Sequence, residues 1–86
     1  ISTMNSETVT VLLFARYAEL LGTSAVRVPV AQAGTVGTVV DYLRQLPGGG
    51  QLPERLLVAV NMRQVGSGQA VSVGDEVAIL PPMAGG

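Results

Sequence analysis

The 86-residue chain has no cysteine, no histidine, no lysine and no tryptophan, and each absence removes a class of chemistry. Without cysteine there is no disulfide framework, no thiol nucleophile and no thiolate metal site. The lack of histidine takes away the usual general base and the commonest metal ligand. All five cations are arginines, at positions 16, 27, 44, 55 and 63, so no side chain can form a Schiff base or accept an isopeptide bond. The codon usage of a GC-rich genome accounts for arginine in place of lysine equally well. Aromatic residues are scarce, with one Phe and two Tyr. The core must therefore be built from Val, Leu, Ile and Ala. Net charge is −1 with no basic run, which argues against nucleic acid as a partner. The longest uninterrupted apolar runs, Val11 to Ala15 and Leu56 to Val60, fall far short of the ~20 residues that span a bilayer. No leader pattern precedes them. The chain reads as soluble and cytoplasmic, with no membrane partner.

What remains is a small, apolar domain. Hydrophobic residues make up 48% of the chain and mean hydropathy is +0.46, enough for one core. Ile1–Thr3 is expected to be a vector remnant ahead of a native Met4, and residues 1–7 a disordered lead-in to a domain over 8–80.

Thr8 to Ala15 begins in polar/apolar alternation and ends continuously apolar, predicting a strand that becomes more buried along its length. Arg16 to Leu21 suits one or two helical turns ended by Gly22. Ala25 to Val30 alternates again; Pro29 cannot donate to a ladder, which places it at an edge or at the strand's end. The clearest helix runs from Val36 to Leu46 with Thr35 as N-cap. Val36, Val39, Val40, Leu43 and Leu46 form its apolar stripe, while Asp41, Arg44 and Gln45 face water. Pro47-Gly48-Gly49-Gly50 stops it. That loop follows a helix and lacks a Lys-Ser/Thr pair, so it reads as a flexible connection and not as a phosphate cradle. Leu56 to Val60 is a buried strand, Asn61 a tight turn, Gly66-Ser67-Gly68 a loop, and Val77 to Leu80 the last strand.

This order gives an α+β domain with one main helix across a short sheet. If the first and last strands pair side by side in parallel, the sheet is mixed and the fold is a β-grasp, ubiquitin-like roll. Pattern alone does not separate it from other ββα-type sheets.

Six carboxylates are present: Glu7, Glu19, Asp41, Glu54, Asp75 and Glu76. Only the last two adjoin, and neighbours on a strand point to opposite faces, so they do not converge on a substrate. Asp75 beside Gly74 reads as a turn residue bonding the local backbone. Ser and Thr have no His or Lys to activate them. Side chains thus argue against a self-sufficient enzyme, and attention falls on the ending, Pro81-Pro82-Met83-Ala84-Gly85-Gly86. The prolines fix φ, stop the ladder and favour an extended exit. Six residues reach about 20 Å at roughly 3.3 Å each. Gly85 and Gly86 carry no Cβ, so the tail can enter a narrow channel with its carboxylate leading. A carboxylate is a poor electrophile, so it needs activation, most simply as an acyl-adenylate, by a partner enzyme.

The residues Leu13-Phe14-Ala15, Leu21-Gly22, Thr35-Val36, Val60-Asn61, Gly74-Asp75-Glu76-Val77-Ala78 and Leu80-Pro81-Pro82-Met83-Ala84-Gly85-Gly86 resemble the small, sulfur-carrier subunit of molybdopterin synthase (the MoaD family). The resemblance covers nearly the whole chain from Thr8, and its most specific part is the final strand with the Pro-Pro-x-x-Gly-Gly ending. It implies a β-grasp fold and a non-catalytic sulfur donor of molybdenum cofactor biosynthesis, active only with the large synthase subunit. By this resemblance Gly86 is adenylated by an E1-like adenylyltransferase using ATP and Mg²⁺, and a sulfurtransferase supplies the sulfur of a C-terminal thiocarboxylate. The tail then donates sulfur to cyclic pyranopterin monophosphate, twice per dithiolene. Gly85 gives the narrow approach; Pro81, Pro82, Met83 and Ala84 guide or dock the tail. The resemblance implies no bound metal and no cofactor on the chain itself. Ala84 stands where the family commonly has Ser, a loss of one hydrogen bond worth about 0.5–1.5 kcal/mol. Gly66-Ser67-Gly68 is less acidic than usual. The alternatives are a carrier for thiazole or cysteine biosynthesis, a ubiquitin-like protein modifier, or an interaction module with an inert tail.

Overall fold

The alternation that opens the chain becomes strand β1, Thr8–Leu13, in a computed structural model that describes residues 7–29 and 34–81. Its Val9, Val11 and Leu13 are buried while Thr8, Thr10 and Leu12 are half-buried on the opposite face. The alternation continues to the strand's end, so the expected progressive burial does not occur. Phe14 leaves the sheet 42% exposed, and Ala15 turns the chain at φ +50° to begin α1, Ala15–Leu21. The apolar run of the sequence is thus split between a strand and a helix start. Helix α1 ends at Gly22 in the left-handed region, as its sequence suggests.

Strand β2, Ala25–Pro29, pairs antiparallel with β1 and lies at the sheet edge, where the missing N–H of Pro29 costs no central ladder bond. The expectation for Val30 falls outside the described residues. Helix α2, Val36–Gln45, is capped by Thr35: its hydroxyl accepts from the Thr38 N–H while the Thr38 side chain bonds the Thr35 N–H in return. Two further N–H groups of the first turn are taken by the loop before β5, Val36 donating to the Gln69 carbonyl and Gly37 to the Ser67 carbonyl, both at 2.8 Å. The Gly66-Ser67-Gly68 loop therefore serves as a backbone cap for this helix. Val36, Val39 and Leu43 are buried in the core shared with β1 and β5, each worth about 1.5–3 kcal/mol relative to exposure. Val40 and Leu46 pack partly against the same core.

Arg44 lies half-buried on the polar side of the helix, and its guanidinium is not left to water alone. Its guanidinium donates to the carbonyls of Leu52 at 3.0 Å, Pro53 at 2.8 Å and Glu54 at 3.1 Å, tying the segment after the helix back onto it. Three carbonyls outside any ladder are satisfied by one planar group, which suits the five-donor fork of arginine.

Strands β3, Leu57–Val60, and β4, Arg63–Val65, form a hairpin, and β5, Glu76–Leu80, closes the sheet in the order β2-β1-β5-β3-β4. Strand β4 is not evident in the sequence. Its turn has Asn61 at φ +51° and Met62 at φ +71°, the two positive values that a two-residue hairpin with the sheet's twist requires. Asn-Met lacks the glycine that usually announces such a turn. The parallel pairing of β1 with β5, set as a condition by the sequence, is present with Leu12 opposite Ala78 and Leu13 opposite Ile79. The sheet is accordingly mixed, with the first and last strands paired inside it. Among the described residues no helix is long and apolar enough to cross a membrane.

Candidate functional site

Strand β5 lies between β1 and β3, hydrogen-bonded on both sides, and Pro81 follows its last residue. The tail is therefore rooted on the central strand of the sheet. Of the tail residues expected to act, Pro81 is described; Pro82, Met83, Ala84, Gly85 and Gly86 lie outside the described residues.

The face of the sheet opposite α2 carries a feature that the sequence does not reveal. Leu57 stands opposite Leu80, Ala59 opposite Ala78, and Ala78 opposite Leu12, so three strands place an apolar patch next to the tail root. Leu57 is 37% exposed; Leu12, Ala78 and Leu80 are half-buried without a helix over them. By their sequence, the continuous run Leu56 to Val60 reads as a buried strand and Val77 to Leu80 as the last strand. A run without alternation reports that both faces are apolar, and the fold covers only one of them. Leu57 is thus the exposed member of an apolar surface that Leu12, Ala78 and Leu80 continue across the sheet.

At the other end of β5, Asp75 has the turn role assigned to it. Gly74 sits at φ +90°, and the carboxylate of Asp75 accepts from the Ser72 N–H at 2.8 Å and from the Asn61 amide at 3.0 Å. Asn61 in turn accepts from the Glu76 N–H at 3.0 Å, so one side chain joins the β3–β4 turn to the start of β5. The Asn61 hydrogen bond, followed by that of Ser72, holds the Asp75 carboxyl below the ordinary carboxylate range. A folded-state value below the unfolded one gives stability that is present above the unfolded pKa and lost as pH falls through the folded one. Asp75→Asn is thus expected to lower the denaturant midpoint at neutral pH, with its difference from wild type shrinking below about pH 4. Chemical denaturation of both proteins across that range is the check, and a difference constant with pH would count against it. Glu76 is exposed and joins this cluster through its backbone, so the two acids do not converge. Among the described residues no group of three or more acidic, His or Cys side chains gathers.

A tail-bearing mixed sheet with its first and last strands paired in parallel is a specific arrangement, and the sequence model of the ThiS family matches residues 11–86. The chain belongs to the ThiS family. Its fold is the ubiquitin-like β-grasp, a five-stranded mixed sheet with two helices. Small archaeal modifier protein 1 of Haloferax volcanii is 36% identical over 83 residues, covering 86% of this chain and 95% of the relative. A crystal structure of that relative superposes with a TM-score of 0.75 at 33% identity, covering 92% of this chain and 99% of the other. Subunits 1 and 2 of the molybdopterin-converting factor of Helicobacter pylori have been solved as a protein–protein complex. This member of the ThiS family matches it with a TM-score of 0.67 at 19% identity, over 92% of this chain and 99% of that one, a likeness of fold.

Proposed function

We propose that this chain is a ubiquitin-like sulfur carrier whose C-terminal Gly86 is the reactive group, serving molybdenum cofactor biosynthesis as the small subunit of molybdopterin synthase. The observation that carries the reading is the family match running through residue 86, so that it takes in Pro81-Pro82 and Gly85-Gly86, on a chain with neither His, Cys nor Lys. A body without nucleophile or base is suited to present an acyl group, not to transform one. The carboxylate of Gly86 attacks the α-phosphate of ATP at an E1-like enzyme, which supplies the Mg²⁺, and pyrophosphate leaves. A persulfide on a sulfurtransferase displaces AMP to give an acyl disulfide, and a thiol reductant cleaves its S–S bond, leaving the thiocarboxylate and the free sulfurtransferase thiol. Within the synthase the tail enters the large subunit and passes its sulfur to cyclic pyranopterin monophosphate, and the carboxylate is restored by water. Gly85 keeps the approach narrow; Pro81, Pro82, Met83 and Ala84 lead it in.

The apolar sheet face beside the tail root is where the large subunit docks in this reading. Leu57→Glu replaces an exposed leucine with a charge and leaves the core side of the sheet untouched. Losing about 1.5–3 kcal/mol of burial corresponds to roughly 10- to 150-fold weaker association. Titration calorimetry with the large subunit measures it, and unchanged affinity would move the interface elsewhere.

A second reading is favoured by the 36% identity to a small archaeal modifier protein: Gly86 forms an isopeptide with lysines of other proteins. The two are separated by reconstitution. Purified carrier, activating enzyme, sulfur source and large subunit are expected to convert the pyranopterin to its dithiolene, seen by mass spectrometry. Adducts on other proteins that survive reductant and hydroxylamine, with no dithiolene formed, would favour the modifier instead. Capture of a thiazole synthase or cysteine synthase in place of the pterin enzyme would assign the carrier to those products.

A further inference from the structure

The five cations of this chain divide by what the fold asks of them. Arg44 is half-buried and uses its planar guanidinium, which reaches three carbonyls that a compact point charge would not satisfy together. Arg16, Arg27, Arg55 and Arg63 are exposed, and among the described residues none of them has an ion pair or a side-chain hydrogen bond. At these four sites the fold asks only for a solvated positive charge, which lysine supplies as well as arginine. Neither packing nor pairing accounts for arginine at all four.

The two cations differ in nucleophilicity. A guanidinium gives up its proton at least about two pH units higher than a lysine ammonium, so its neutral form is at least about 100 times rarer near neutral pH. That difference matters beside an electrophile, and an adenylated Gly86 is one. The five residues after Pro81 reach about 17 Å, so an amine on the same body would meet the acyl carbon at an effective concentration on the order of mM. Arg16 shares a cleft with Pro81, and Arg55 lies two residues before Leu57, the partner of Leu80, so both stand inside that reach. Attack by a lysine there would bond nitrogen to the acyl carbon and break the bond to the adenylate oxygen. AMP would leave with the electron pair, the nitrogen would give its proton to water, and a stable amide would cap the carrier. We propose that the arginine surface is a self-protection device, which leaves the activated Gly86 without a competing amine side chain on its own body. Self-protection rests on the activation of Gly86 and holds whether the acyl group goes on to sulfur or to another protein.

The test compares the full chain with its Arg16→Lys and Arg55→Lys variants, both at exposed positions that the core does not use. Each is incubated with the E1-like enzyme, ATP and Mg²⁺ without a sulfur source, while pyrophosphate release and intact mass are followed. The variants are expected to release pyrophosphate as wild type does. They should also accumulate chains lighter by one water, at least about tenfold above wild type, with peptide mapping joining Gly86 to the substituted position. Equal pyrophosphate release with no such adduct in either variant would overturn self-protection and leave codon usage as the cause of the arginines. No pyrophosphate release from wild type would instead remove the activation of Gly86, and self-protection with it.

Discussion

Deleting Gly86 is expected to reduce sulfur transfer by at least about 100-fold while the domain stays folded. The shortened chain still ends in a glycine carboxylate, so the chemistry of the terminal group is unchanged. What changes is its reach. One residue fewer draws the acyl carbon back by roughly 3.3–3.6 Å, and a misplacement of even 1 Å can cost two orders of magnitude in rate. The body of this chain offers no side chain that could take over, because the sequence contains neither Cys, His nor Lys. Mass spectrometry of the chain after activation should show the replacement of oxygen by sulfur in wild type and its near absence in the variant. Equal denaturant midpoints would establish that the domain is intact. Near-normal transfer by the shortened chain would show that the reach of the last residue is not decisive. Gly85→Ala acts one residue further in: the carboxylate stays in register, but a methyl group enters the narrow approach.

The second large effect belongs to the fold. Gly48→Ala or Gly49→Ala is expected to destabilise the domain by about 2–5 kcal/mol. A Cβ built on Gly48 runs into the carbonyl oxygen of Leu20, and one on Gly49 into that of Leu43. Both obstacles are helix backbone, which cannot rotate aside. Gly48 also sits at φ +85°, where any side chain adds strain. This turn is where α1, α2 and the short 3₁₀ segment Gly49–Gln51 meet, and Gly49 N–H donates to the Leu46 carbonyl at 2.7 Å. Gly50 provides the control. A Cβ on Gly50 would meet nothing within 4 Å, so Gly50→Ala should change stability by no more than about 0.5 kcal/mol. For a domain of this size, with total stability of order 4–13 kcal/mol, the first two losses are a large fraction and the third is not. Urea midpoints for the three variants decide the matter; three equal values would mean that the turn gives way.

This loop also shows where a sequence reading falls short. Three consecutive glycines after a helix read as slack chain, yet two of them are there because backbone passes against backbone. Nothing in the sequence distinguishes a glycine needed for freedom from one needed for close approach, since the obstacle to Gly48 comes from a residue nearly thirty positions away. Arg44 presents the same difficulty. Its place on the polar side of α2 predicts solvation, and only the return of residues 52–54 past the helix gives the guanidinium three carbonyls to satisfy. Strand β4 gives no signal because Asn61 and Met62 adopt positive φ without a glycine to announce it.

Other features are legible because their causes are local. The Thr35 cap and the Val36, Val39, Leu43 stripe follow from side-chain chemistry and helical period within eleven residues of chain. Pro29 at a strand end, Gly22 closing α1 and Asp75 bonding its own turn follow likewise from what each residue can do with its neighbours. The ending is visible in the sequence as a motif of residue types, and the family match runs through it to residue 86. The solvent-facing leucines are not. Leu12, Leu57 and Leu80 become one surface only when β1, β5 and β3 are aligned in register, and whether that face is covered depends on which side α2 crosses. Short-range preferences thus set most of the elements, while the apolar patch arises from pairings between distant segments, which no local rule encodes.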